Sequence, residues 1–259
     1  LPERAWNRDR SLPWLDGSSI PVGRGAAPPI LADMAWFQNW QSAYGQTLPW
    51  TPRPVNLLAA NLIIHLVETH PNEVSLLSLG PMTNLALAVR LQPKIIPLTR
   101  EVVVMGGSFN QQDLSPEFNA RCDPEAAQIV LNTKWPVHSW GLAAPRRVFF
   151  PGRYFASRPE SDPATELLRT QAPGWIDRME EMGWDQDGCA LHDAVAAAYL
   201  VDHSIFRTEA TCVEVELADP RLRGVTRFLP PETGETQVKV ITSLDTAKCR
   251  DLIWSDLQQ

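Results

Sequence analysis

Three short apolar runs constrain this chain more than any other feature. They are "EVSLLSLG" (73–80), "REVVVMGG" (100–107) and "PVHSWGL" (136–142). Each is continuous rather than alternating, the pattern of a strand buried on both faces. Segments with helical spacing separate them. "PMTNLALAVRLQ" carries Pro81 near its first turn, and "DPEAAQIVLNTK" reads as a helix with Asp123 as N-cap, Pro124 at its first position and Glu125 in its first turn. Upstream, "VNLLAANLIIHLVETH" (55–70) is a further buried helix, stopped by Pro71 and Asn72. Strand and helix alternating at such short intervals predict βαβ units, hence an α/β fold with a mostly parallel sheet flanked by helices. Sites on such sheets lie beyond the carboxyl ends of the strands. The loops after Leu79, Met105 and Leu142 are therefore the places to look.

The remainder is consistent with one unit spanning residues 1–259. Residues 1–54 are rich in Pro, Gly, Trp and Arg, and "SSIPVGRGAAPPIL" holds at most one short strand. Residues 163–182 are helical, "LHDAVAAAYLVD" is a helix opened by His192 and Asp193, "TCVEVELADP" and "TQVKVITS" are strands, and "DTAKCRDLIWSDL" is a helix capped by Asp245 or Ser243. There is neither a repeat nor a linker. A hydrophobic content of 44% suffices for a large core, and a formal charge of −7 without basic runs argues against nucleic-acid and anionic-membrane partners. No apolar run has the length of a membrane span. Cys122, Cys189, Cys212 and Cys249 follow no CxxC spacing and read as reduced structural thiols, which predicts a cytoplasmic protein.

The segment "SPEFNARCDPEAAQIVL" concentrates the polar candidates. Glu117 and Asn119 are two apart in what reads as a loop or extended stretch, where both side chains point to one side and Phe118 faces inward. An acceptor carboxylate beside a donor–acceptor amide suits sugar hydroxyls; a polar loop bonding its own backbone is the commoner use of such a pair. Asp123 is a capping residue that positions this loop. Met105 stands at a strand end before two glycines, as a pocket or a core residue. Asp193 can ligate a hard cation or act as a first-turn dipole partner. His192 can protonate or stack on a heterocycle, or be a satisfied imidazole. Trp184, in the acidic "EEMGWDQDG", can stack on a base or close over the core. No GxxxxGK[ST] phosphate loop and no GxSxG elbow is present, which argues against a sugar-phosphate enzyme and a serine hydrolase.

In order along the chain, "LLSLGPMTNLALAVRLQP", "REVVVMGGSF", "SPEFNARCDPEAAQIV", "LHDAVAAAYLVD" and "CVEVELADPRLRG" resemble the inosine/uridine-preferring nucleoside hydrolase family. Ala194 stands where that family's His-Asp-Pro helix has proline. The resemblance implies a Rossmann-like sheet and calcium-dependent cleavage of the N-glycosidic bond of ribonucleosides. Asp193 and the backbone carbonyl of Leu79 match calcium ligands. Glu117 and Asn119 match residues that hold the ribose hydroxyls, with Met105 lining the pocket. His192 matches a residue near the nucleobase, a candidate leaving-group acid, and Trp184 aligns loosely with a base-side aromatic. A homo-oligomer is a further implication. The competing expectation is a non-catalytic nucleoside- or ribose-binding homologue.

One departure bears on activity. The family opens with an Asp-x-Asp-x-x-x-Asp-Asp cluster that supplies further calcium carboxylates and the general base. Asp9 and Asp16 lie in no such cluster, and the loop "ADMAWFQNWQSAYGQTLPW" lacks the family's histidine. Since calcium takes six to eight oxygens, the expectation is a chain that lacks the family's first βα units and is impaired.

Overall fold

The computed structural model describes residues 21–26, 29–31, 57–108, 115–141, 148–156, 163–183, 185–230 and 238–256. The three apolar runs form adjacent parallel strands, β1 (Ser75–Ser78), β2 (Glu101–Met105) and β3 (Val137–Trp140). Strands β2 and β3 are buried along their whole length, whereas β1, at a sheet edge among the described residues, is partly covered. Strand β8 (Val238–Leu244) pairs in parallel with β3. Strand β6 (Phe206–Val215) runs antiparallel between β8 and β7 (Thr226–Leu229), giving the order β1-β2-β3-β8-β6-β7. A separate antiparallel pair joins β4 (Phe149–Pro151) to β5 (Gly188–Ala190).

The period-two geometry of β2 explains why Val102 to Met105 are all apolar. Val102 and Val104 enter one core with helices α1 (Ala59–Thr69), α2 (Thr83–Leu91) and α4 (Pro124–Leu131). Val103 and Met105 enter another, with α6 (Pro163–Glu181), α7 (His192–Val201) and α8 (Thr246–Asp256). A short α3 (Phe118–Cys122) precedes α4, and α5 (Gly152–Ala156) follows β4. The expected mostly parallel, helix-flanked sheet is present. Asp245 caps α8, accepting the Lys248 amide at 3.1 Å. Of residues 1–54, only 21–26 and 29–31 are described, with one bridge between Arg24 and Leu58. All four cysteines are free and buried. No described helix is long and apolar enough to cross a membrane.

The amino-terminal end of the sheet, opposite the loops that matter for ligands, buries a polar cluster. Glu101 opens β2 and His138 lies in β3; both are under a tenth exposed. The Tyr199 hydroxyl is 2.6 Å from His138 Nδ1, and Glu101 Oε2 is 3.9 Å from His138 Nε2 and 3.1 Å from His203 Nε2. A neutral ring protonated on Nε2 accepts from Tyr199 and turns its proton to Glu101. Burial, then the charge of Lys239, pushes His138 down to about 4, with Glu101 opposing and His203 adding to the drop. Folding thus favours the neutral imidazole. Its contribution is complete above pH ~6.5, the unfolded value, and drains away as pH falls toward about 4. We expect a loss on the order of 3 kcal/mol across that window. Urea midpoints at pH 7 and 4.5 should show it, with a smaller drop in His138→Gln; equal drops would exclude His138 as the source.

Candidate functional site at the carboxyl end of β2

Strand β2 ends at Met105, and the chain turns through Gly106 and Gly107, the latter at φ +91°. That backbone is strained for other residues. A Cβ on Gly106 would lie 3.0 Å from Met82 Cε and 3.4 Å from Glu117 Oε2, so the turn sits directly against the carboxylate. Glu117 is the N-cap of α3, and its Oε2 accepts from the amides of Ala120 at 3.0 Å and Gly107 at 3.1 Å. Asn119 Nδ2 donates to the Met105 carbonyl at 3.0 Å and lies 3.4 Å from Met105 Sδ. Strand end, turn and α3 are therefore stitched together by the two side chains singled out from the sequence.

The expected extended geometry of this segment is not what forms. Glu117 is extended, but residues from Phe118 onward are helical. The burial is also inverted: Glu117 and Asn119 are 2% and 7% exposed, whereas Phe118 is only partly buried. The cause is the cap itself. A carboxylate receiving Gly107 and Ala120 amides must turn inward, and one helical step then brings Asn119 onto the strand end.

Asp123 behaves as expected and does more. Fully buried, it caps α4 through Ala126 N at 3.0 Å, and its other oxygen accepts from Thr83 Oγ1 at 2.6 Å and from Ile30 N at 3.1 Å. It thus ties α4 to the start of α2 and to the 29–31 segment. Asp123→Ala strands these donors in the interior and should cost about 3 kcal/mol or more in urea unfolding. A loss under 1 kcal/mol would mean that water replaces it.

Helix α7 crosses behind β2 and starts at the same end of the sheet. Asp193 lies in its first turn, open to solvent, yet desolvation raises its pKa. Glu117 is also raised, by burial first and by the charge of Asp193 among the other causes, against the amides of Asn119, Ala120 and Gly107. The Asp193 charge is the smallest of the causes acting on Glu117. His192 opens the same helix and is half-buried. Ser78 pairs with Val104, which sets Leu79 beside Met105 at the neighbouring strand end. Met105, Glu117, Asn119, Asp193 and Leu79 thus share one end of the sheet. Trp184, Asp9 and Asp16 lie outside the described residues. Two contributors were not anticipated, Ser108 and Thr226, which bond each other under the turn. The only sequence signal for Thr226 is its place in a short run behind Gly224.

Glu117 and Asp193 bring two carboxylates to this end of the sheet, the ligand type a hard divalent cation takes. The donor count is short, since no group of three or more ligating His, Cys, Asp or Glu occurs among the described residues. Asp193 and the Leu79 carbonyl are two oxygen donors at this sheet end, where a calcium shell takes six to eight oxygens.

An open, mostly parallel α/β sheet takes small ligands beyond its strand ends, and here a buried carboxylate–amide pair lies at that end. The sequence profile of the inosine-uridine preferring nucleoside hydrolases matches residues 3–251. The inosine-uridine preferring nucleoside hydrolase of Crithidia fasciculata is 32% identical over 253 residues, covering 93% of this chain and 80% of its own. That of Leishmania major is 31% identical, covering 89% and 77%. A solved plant nucleoside hydrolase superposes with a TM-score of 0.79 at 25% identity, covering 90% of this chain and 79% of its own. The chain belongs to the inosine-uridine preferring nucleoside hydrolase family.

Proposed function

We propose that this protein hydrolyses the N-glycosidic bond of ribonucleosides to ribose and free base, and that it requires calcium. The observation that carries the reading is the buried Glu117–Asn119 pair fixed to the end of β2. Ribose hydroxyls both give and take hydrogen bonds. A carboxylate acceptor and an amide with a second Nδ2 proton answer both needs. Bond cleavage builds oxocarbenium character on the ribose, and the paired carboxylates supply the negative field that stabilises it. Met105 closes the apolar side of the sugar. His192 is the leaving-group acid: proton donation to the departing base lowers the barrier for poor leaving groups most. When bound, calcium would engage the ribose diol and acidify a water, with Asp193 and the Leu79 carbonyl among its ligands.

The deciding experiment is ribose release from inosine and uridine, with calcium and with a chelator. Calcium-dependent release is expected, impaired to the extent that the family's aspartate cluster is lacking. The short ligand set among the described residues favours a second reading, a nucleoside binder without turnover. Saturable inosine binding with no ribose released at any calcium concentration would establish that reading instead.

A further inference from the structure

We infer that Thr226, on the antiparallel edge of the sheet, is a positioning residue for the substrate grip. The inference rests on the reading of Glu117 and Asn119 as that grip.

The argument begins with one hydroxyl. Thr226 Oγ1 accepts the Ser108 amide at 2.8 Å and donates to the Ser108 carbonyl at 3.0 Å, so a single side chain satisfies both backbone groups of that residue. Thr226 and Ser108 are 3% and 5% exposed, which leaves little room for water to substitute. Ser108 directly follows Gly107, whose amide donates to Glu117 Oε2. Fixing Ser108 restrains Gly107 from its carboxyl side, one peptide beyond the amide that holds the carboxylate, whose own plane Ser139 Oγ fixes by donating to the Gly106 carbonyl at 3.0 Å. The strand end is gripped from both sides, by α3 through Glu117 and Asn119 and by β7 through Thr226.

The hairpin bearing Thr226 also holds α3 and α4 independently. Gly224, at φ +86°, has no room for a Cβ, which would meet the Ala120 carbonyl oxygen and Arg121 Cα each at 2.9 Å. Arg223 pairs with Glu125 in the first turn of α4 and bonds the Leu217 carbonyl. Gln128 of α4 accepts the Val215 amide at 3.2 Å. The β6–β7 hairpin thus clasps α3, which carries Glu117 and Asn119, and the adjoining α4, while Thr226 reaches past them to the turn. A hydrogen-bonded clasp at both ends of a ligand-binding turn is how a fold keeps reacting groups in place.

Thr226→Val keeps the β-branched shape and removes both bonds; Thr226→Ser restores the hydroxyl. Val215→Ala, in the same hairpin and core, destabilises without touching the turn. KM does not depend on the fraction of enzyme that is folded, so it separates positioning from stability. We expect Thr226→Val to raise KM several-fold and to lower kcat/KM about 10- to 100-fold. Thr226→Ser should stay within about threefold of wild type, and Val215→Ala should keep the wild-type KM. Amide exchange across residues 105–108 should accelerate in Thr226→Val alone. Wild-type KM in Thr226→Val, with active wild-type protein, overturns the inference while leaving the function intact. Wild-type protein that neither binds nor cleaves inosine or uridine overturns the reading of the grip. Accelerated exchange in Thr226→Val would then leave Thr226 a structural clamp and overturn its positioning role.

Discussion

Replacing Asn119 with alanine will raise KM and lower kcat together, cutting kcat/KM by about 100-fold. The amide sits almost fully buried at the end of β2, with one Nδ2 proton committed to the Met105 carbonyl at 3.0 Å. Oδ1, and the Nδ2 proton that otherwise makes a weak bond to Met105 Sδ at 3.4 Å, give it the capacity to accept from and donate to ribose hydroxyls at once. Bonds made in both ground and transition states move KM; those that strengthen as the ring flattens toward an oxocarbenium ion move kcat. Losing both kinds, in a buried site where water substitutes poorly, accounts for the size. The truncation also strands the Met105 carbonyl, so stability must be followed in parallel. Asn119→Asp keeps the shape, loses the donor and adds charge beside Glu117, and should be at least as damaging. Unchanged turnover in Asn119→Ala at full folding would remove Asn119 from the grip.

How much of this was legible in the sequence follows from what each residue needs. Strands β1, β2 and β3 were legible because short runs dominated by apolar residues, each followed by a turn, alternate with helical spacing. Asp123 was legible because a cap followed by proline and an apolar face has one common use, and the structure places its carboxylate on Ala126 N. The local geometry of Glu117 and Asn119 was not legible. Their spacing of two fits a strand, but the partner that decides otherwise is Gly107, which lies ten residues back in the chain. Strands β4, β5 and β7 have three or four residues each, too short for periodicity to register. Thr226 was hidden for a further reason. Its contact with Ser108 spans 118 positions, and a threonine in a strand looks the same whether or not its hydroxyl is used. Local signals thus mark the elements that carry the site, while the bonds that aim it are long-range.

Glu117→Gln should make the protein more stable at neutral pH and yet poorly active. The carboxylate is 2% exposed, and burial, with the Asp193 charge adding to it, raises its pKa from 4.5 despite three helpful backbone amides. The folded state therefore holds the Glu117 proton more tightly than the unfolded chain does. By linkage, the stability this confers is fully present below pH 4.5 and is lost as pH rises through the elevated folded value. At pH 7.5 the wild type folds around a charge it would rather neutralise. Glutamine is neutral at every pH, and its carbonyl oxygen can accept the Gly107 and Ala120 amides as Oε2 does, so α3 keeps its cap. The urea midpoint of the variant should exceed wild type at pH 7.5, and the gap should close as pH approaches 4.5. Activity should move the other way. A charged acceptor for a ribose hydroxyl, and a negative field for a developing oxocarbenium ion, are both gone, and we expect kcat/KM to fall by about 100-fold or more. The acid limb of the pH–rate profile should vanish with the titrating group. A variant that is both less stable and equally active would mean that Glu117 serves only as a helix cap. A more stable, inactive variant would show a fold that bears the cost of a buried charge because catalysis needs it there.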